Sequence, residues 1–403
     1  MAMVPRILSA VAFSPVWRRQ MRFILGPRQV GKTTLAKAKL KEENSSKFYY
    51  LWDLRTIRNR YKNNELFFTE DNPSGKTGQW ICFDEIHKMP RWKNMLKGIY
   101  DATSDFYYFV VTGSAKLNLV RRAGDSLAGR YSAFHLLPLT LKEVHRNATL
   151  PDSPAAWLDA LGGSIEHKGD GLEQLLSLGG FPEPFTQTSQ AFHRKWTRDY
   201  ADAVIREDIG SLTRITEREH ILDLFNLLPE MAGSPLSYAS LAGHLELNPI
   251  TVKSYLSRLQ DFYLAFSLKP YARNIKRSLL KAPKFYLYDW SRNANPAVRF
   301  ENYVACELLA RVFHWTDVTG EEFGVWYVRT KDKKETDFLI TQGKKPALLI
   351  EAKLSDSRID DHHLETGEAL GGIPLMQVCH QRGVFARQTG RALRVSAARL
   401  FGC

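Results

Sequence analysis

One short run constrains this chain more than any other: Gly26-Pro27-Arg28-Gln29-Val30-Gly31-Lys32-Thr33, with Thr34 after it. It stands between an apolar run, Met21-Arg22-Phe23-Ile24-Leu25, and a helix-prone run, Thr34-Leu35-Ala36-Lys37-Ala38-Lys39-Leu40. A glycine-rich loop joining a strand to a helix is the Walker A pattern. Its glycines let the backbone curl around phosphate, and the amides of Val30 to Thr34 lie at a helix N-terminus that favours an anion. In such a loop Lys32 reaches the β- and γ-phosphates and the Thr33 hydroxyl holds Mg²⁺. A Gly-rich turn without a ligand would not need both flanking patterns, so ATP with Mg²⁺ is the expected cargo of residues 26–34.

A second signature follows. Gln79-Trp80-Ile81-Cys82-Phe83-Asp84-Glu85 is an apolar strand ending in two acids, 52 residues beyond Lys32. Phosphoryl transfer needs a metal to offset charge and a base in line, so Asp84 is expected in the Mg²⁺ shell and Glu85 at the attacking water. A third apolar run, Phe106 to Val111, ends in Thr112-Gly113-Ser114. Polar tips of parallel strands lie where α/β folds bind ligands, so Ser114, or else Thr112, is a candidate for the γ-phosphate or the water. Ser114 equally suits a helix N-cap. The alternation predicts an α/β fold, a parallel sheet wrapped by helices.

At 403 residues, with 44% hydrophobic and 25% charged side chains, the chain reads as two to four ordinary globular domains. The apolar stretch Ile7 to Trp17 is too short to span a bilayer, which with the scattered cysteines suggests a cytoplasmic protein. Cys82, Cys306, Cys379 and Cys403 form no CxxC pair, so neither a disulfide framework nor a zinc site is expected. The net charge of +13 is uneven: Ser237 to Phe300 holds ten Lys or Arg against three acids. Clustered basic charge is the footprint of a nucleic-acid binder or of a solvated basic face.

These motifs, with Phe83-Asp84-Glu85-Ile86-His87, Ser126-Leu127-Ala128-Gly129-Arg130, Leu137-Pro138-Leu139-Thr140 and Gly179-Gly180-Phe181-Pro182-Glu183-Pro184, resemble AAA-type ATPases of the AAA_14 group that carry DUF4143 at the C-terminus. The resemblance runs to about Ser355. It implies a homo-oligomer, of which a ring is one form, in which an arginine of one subunit reaches the neighbour's nucleotide. Arg130 is the first candidate for that finger and Arg206 a weaker one for a lid sensor. A surface ion pair is the alternative for either.

Between the ends lies a helix-turn-helix pattern. Ser237 caps a helix to Leu245, a turn follows at Glu246-Leu247-Asn248-Pro249, and Ile250 to Phe262 places Val252, Tyr255, Leu256 and Leu259 on one face. Strands at Leu264 to Leu268 and Lys284 to Tyr288 complete a winged helix. The expected DNA contacts are Lys253 and Arg258 on the helix and Arg273, Lys276, Arg277 and Lys281 on the wing. Lys, Ser and Thr contacts suit phosphates rather than bases, so duplex or branched DNA without base specificity is the expected partner. Winged helices also join proteins to one another, and that reading stays open.

The C-terminal region carries a second constellation. A helix from Phe300 to His314 bears Glu301; strands at Val325 to Arg329, Thr336 to Thr341 and Ala347 to Lys353 bear Asp337, Glu351 and Lys353. Two-residue periodicity sets Glu351 and Lys353 on one face. Carboxylates around a divalent cation with a lysine beside them are what phosphodiester hydrolysis needs. The order resembles the PD-(D/E)xK nuclease fold, with Thr336 where the proline would stand. That resemblance implies Mg²⁺ or Mn²⁺ held by Asp337 and Glu351. An active nuclease and an inherited fold that docks DNA or protein without cutting both fit the residues. The expected domains are 1–145 (ATPase core), 146–232 (helical lid), 233–291 (winged helix) and 292–403 (nuclease-like). The expected function is ATP-driven DNA processing; the alternative is an ATP-dependent switch whose C-terminal domains bind a protein.

Overall fold

The structure is a computed structural model that describes residues 4–17, 19–113, 127–147, 149–210, 215–272 and 282–403. Ser114, Arg273, Lys276, Arg277 and Lys281 lie outside the described residues. Contacts divide the chain into two compact units. One comprises residues 8–137 with 261–263; the other comprises 1–7, 138–260 and 264–403.

In the first unit five strands form one parallel sheet: β1 (Met21–Leu25), β2 (Tyr49–Leu51), β3 (Gln79–Asp84), β4 (Tyr107–Thr112) and β5 (Tyr131–His135). Their spatial order is β2-β3-β4-β1-β5, every neighbouring pair parallel. Helices cover such sheets on both faces, so central strands read as unbroken apolar runs rather than alternating ones. All of β1 and β3 is buried. Arg22 is the exception to that composition within β1. It is buried within β1, its guanidinium 5.0 Å from the Trp80 ring and 5.6 Å from the Tyr108 ring. Residues 32–42 form the helix after the loop and bury Leu35, Ala36 and Leu40 against Ile24, Cys82 and Val110.

The second unit opens with helices. Ser153 caps Pro154–Gly163 through its hydroxyl, so the stretch 147–170, which carries little sequence signal, contains a helix. Near the start of this unit one carboxylate gathers separated chain segments: Glu143 accepts hydrogen bonds from Arg6 Nε at 3.0 Å, from the Ile7 N–H at 2.9 Å and from the Thr140 N–H at 3.0 Å. The helix-turn-helix pattern is present. Ser237 caps Tyr238–His244, and Pro249–Asp261 buries Val252, Tyr255, Leu256 and Leu259. An antiparallel hairpin follows, β6 (Ala265–Leu268) with β7 (Lys284–Leu287).

A 24-residue helix, Pro296–Thr319, precedes the mixed C-terminal sheet. Strands β8 (Phe323–Arg329), β9 (Glu335–Gln342) and β10 (Lys345–Lys353) form the expected antiparallel meander. The sheet continues with β11 (Leu375–Cys379), β12 (Phe385–Thr389) and β13 (Ala392–Ser396), in the order β12-β13-β11-β10-β9-β8. The parallel pairing of β10 with β11 requires a crossover, and the helix Asp361–Ala369 lies within it. The region 356–372, whose sequence carries little periodic signal, is therefore partly helical. The helix's buried positions are His363, Thr366 and Gly367, none of which registers as apolar in a periodicity argument.

Candidate nucleotide site and a carboxylate cluster

The loop 26–34 leaves β1 at its C-terminal edge. Gly26 has φ 143°, and a side chain there would collide with the Leu136 carbonyl oxygen; Gly31 has φ 102° and starts the helix. Both positions need glycine's freedom. Val30 and Lys32 are buried, Pro27 likewise, Arg28 and Thr33 half-buried, and Gln29 and Thr34 exposed. Lys32 Nζ donates to the Gly26 carbonyl at 2.9 Å and to the Pro27 carbonyl at 2.6 Å. The ammonium is thus held inside the loop.

Asp84, 2% exposed at the end of β3, draws three hydroxyls: Thr33 Oγ1 donates to it at 2.8 Å, Tyr49 Oη at 2.5 Å, and Thr112 Oγ1 also donates. Three strands and the phosphate loop therefore meet at one carboxylate. Thr112 was the lesser sequence candidate, and Tyr49 was missed because nothing in its own strand marks it. Burial and the Asp84 hydrogen bond push the Tyr49 phenol far up, so it stays a donor. Glu85 follows in left-handed backbone, φ 59°, a strained conformation of the kind that persists where surrounding structure enforces it. Lys88 Nζ and His87 Nε2 each lie 3.6 Å from its carboxylate. Burial pushes the Glu85 carboxyl above its ordinary range, and Lys88 offsets part of that shift. Arg130 pairs with Asp101 through two nitrogens, at 2.7 and 3.0 Å. Arg206 pairs with Asp202 at 2.5 Å and Glu219 at 3.1 Å.

All four side chains of the C-terminal constellation come together, and so does one of the ten cations counted in the basic segment. Lys284, at the head of β7, is 3% exposed. Its Nζ lies 3.7 Å from Glu301, 3.3 Å from Glu335 and 3.5 Å from Asp337. Tyr286 Oη donates to Glu301 at 2.8 Å, and Gly233, at φ 75°, leaves no side chain in the way of the Glu301 carboxylate. Across β9 and β10 the Asp337 N–H donates to Glu351 at 3.1 Å and the Ala352 N–H donates to Asp337 at 3.1 Å. Lys353 Nζ pairs with Glu351 at 3.0 Å. Burial opposes the Lys284 charge, but Asp337, then Glu301 and Glu335, outweigh it and push its pKa up to about 12. Burial and then Asp337 push Glu301 up to about 8 and Glu351 up to about 7.

The basic footprint shrinks accordingly. Lys284 faces the acids rather than solvent, and Arg292 donates inward to the Thr197 carbonyl and Asn226. Arg258 pairs with Glu217 at 3.1 Å. Lys253 stays exposed on its helix. Charge counted along a sequence does not distinguish a solvated lysine from one that neutralises buried carboxylates.

Family models match three consecutive stretches: an AAA domain over 18–145, a domain of unknown function (DUF8612) over 169–292, and another (DUF4143) over 299–382. Residues 18–145 are an AAA domain. The DUF4143 match contains Glu301, Asp337, Glu351 and Lys353, whereas Lys284 falls in the DUF8612 match. Uncharacterized proteins of Mycobacterium bovis and Mycobacterium tuberculosis are each 26% identical over 272 residues, 68% of this chain and 55% of theirs. The chain thus spans about half the length of these curated relatives. Solved structures similar to it include the Aeropyrum pernix ORC1 protein in complex with DNA and a Bacillus subtilis DNA clamp loader delta protein. The first has 14% identity and a TM-score of 0.30, covering 75% of this chain and 92% of that one. The second has 8% and 0.26, covering 78% and 98%. Among the described residues no helix is long and apolar enough to cross a membrane.

In the AAA domain the donor set fits Mg²⁺. Thr33 and Asp84 offer hard oxygens 2.8 Å apart, and the hydrogen-bond partners of the buried Asp84 carboxylate among the described residues are neutral hydroxyls. A cation beside it would supply the missing positive charge. The DUF4143 cluster does not fit a divalent ion in this arrangement. Glu301, Glu335 and Asp337 close on an ammonium, and Glu351 is already bonded to Lys353 and to the Asp337 N–H.

Proposed function

We propose that the protein binds and hydrolyses ATP and uses the cycle to hold or remodel DNA. The observation that carries the first half is the convergence of Thr33, Tyr49 and Thr112 on Asp84 beside Lys32 and Glu85. Bound Mg²⁺ would offset phosphate charge as the terminal phosphoryl group leaves. Thr33 and Asp84 orient the metal side of the site, Lys32 neutralises the phosphates, and Glu85 holds the proton of the incoming water. The exposed Lys253 and the basic composition of 237–300 support DNA as the load.

The experiment is the ATPase rate with and without duplex, branched and single-stranded DNA, together with binding across a salt series. Stimulation by at least one form, with affinity falling steeply as salt rises, is the expected result; no stimulation and no salt-sensitive binding by any form removes DNA from the reading. The protein-binding switch is the second reading. The inward turn of Lys284 and Arg292 and the pairing of Arg258 favour it, since they withdraw cations from the DNA face.

We further assign Arg130 as the arginine a subunit presents to its neighbour's nucleotide, released from Asp101 on assembly. Arg130→Ala should then lower kcat about a thousandfold with ATP affinity retained. A kcat within about twofold of wild type would return Arg130 to the surface ion pair.

A further inference from the structure

The disagreement between the DUF4143 carboxylates and the metal their order implies has a specific source. We propose that Lys284 is a resident cation that locks this centre, so that the carboxylates bind no divalent metal while β7 is seated. The proposal is independent of whether DNA is the load.

The argument is geometric. Divalent oxygen sites hold the ion at about 2.0–2.6 Å from about six or more oxygens, water included. Here Asp337, one of the two acids expected to supply them, stands with Glu301 and Glu335 around Nζ at 3.3 to 3.7 Å, the span of ammonium–carboxylate contacts. A dication entering the same space would meet an ammonium whose side chain is 3% exposed. The lysine stem is fixed as well: Tyr327 has its ring centroid 5.4 Å from Nζ and donates its hydroxyl to the Ala282 carbonyl at 2.5 Å, while Gly233 donates its N–H to the Phe285 carbonyl at 3.1 Å. Glu351, the acid farthest from Nζ in this network, has its own lysine in Lys353. The cluster is thus charge-matched by side chains at both ends.

The lock belongs to the hairpin that follows the helix-turn-helix, not to the sheet that bears Asp337 and Glu351. Opening the centre to metal therefore requires displacing β7, which pairs with β6 over four residues, Lys284 to Leu287. A centre of this build is held shut by the element next to it in sequence. Its cation comes from a different family-model stretch than its acids.

The test uses the full chain without nucleotide and Mn²⁺ followed by electron paramagnetic resonance. Wild type and Asp337→Asn should bind Mn²⁺ equally. Lys284→Met, which keeps the stem and removes the charge, should gain about one Mn²⁺ per chain with affinity at least tenfold tighter than any wild-type site. Lys284→Met/Asp337→Asn should lose that gain. A wild-type Mn²⁺ signal that disappears in Asp337→Asn would overturn the proposal. So would a folded Lys284→Met, checked by circular dichroism, that binds no more Mn²⁺ than wild type. Should Lys284→Met not fold, the comparison of wild type with Asp337→Asn decides alone: equal binding supports the lock, and a loss in the mutant sinks it.

Discussion

Lys32→Ala is expected to abolish nucleotide binding at working concentrations, with ATP affinity falling at least about a hundredfold. A hydrogen bond to a charged group contributes about 1.5–3 kcal/mol, and each 1.4 kcal/mol is a decade in Kd. Lys32 offers more than one such bond, since its Nζ already donates to two carbonyls, those of Gly26 and Pro27. Alanine removes the phosphate's cation and also the donor that holds the loop in shape. Thermal unfolding gives a direct measurement. Ligand that binds only the folded state raises stability by RT ln(1 + [L]/Kd), so saturating MgATP should raise the wild-type Tm by several degrees and leave that of Lys32→Ala unchanged. An unchanged Kd by calorimetry would take Lys32 out of the site.

Glu85→Gln is expected to do the reverse: binding stays and hydrolysis falls by about 10²–10⁴, the range that a positioned general base contributes. Glutamine matches the shape of glutamate and can keep the left-handed backbone that Glu85 adopts at φ 59°. What it lacks is basicity. Burial raises the Glu85 carboxyl above its ordinary range while Lys88 restrains the rise, which makes it a better proton acceptor than an exposed carboxylate. Single-turnover measurement should find ATP retained on the variant. Turnover at the wild-type rate would assign the base elsewhere.

The nucleotide site was legible because its motif is contiguous and its flanks carry the right periodicities. Met21 to Leu25 and Gln79 to Asp84 form the strands their apolar runs imply, and Asp84 stands at the edge expected of it. Tyr49 was not legible: its three-residue strand has no pattern of its own, and only the parallel register of β2 with β3 brings its hydroxyl to Asp84. The same holds at the C-terminal end. The meander that presents Asp337, Glu351 and Lys353 follows two-residue alternation, whereas β11 to β13 required a crossover helix whose buried face is His, Thr and Gly. Lys284 is the instructive failure. It reads as one more positive charge in a basic segment, and only tertiary packing turns it toward three acids. A lysine opening the buried strand Lys284–Leu287 was the available clue.

The hold of Glu143 on Arg6 and Ile7 gives the first unit a part in the stability of the second that needs no interface at all. Ile7 and Glu143 are 136 positions apart, and nearly all of the intervening residues belong to the first unit. With that unit unfolded, bringing Ile7 to Glu143 means closing a flexible loop, at roughly 4 kcal/mol from the (3/2)RT ln n dependence. Folding the first unit shortens the loop beforehand and removes much of that entropic cost. Lesions that melt the nucleotide-binding unit should therefore loosen the attachment of residues 4–7, and ATP, by stabilising that unit, should tighten it through chain connectivity alone.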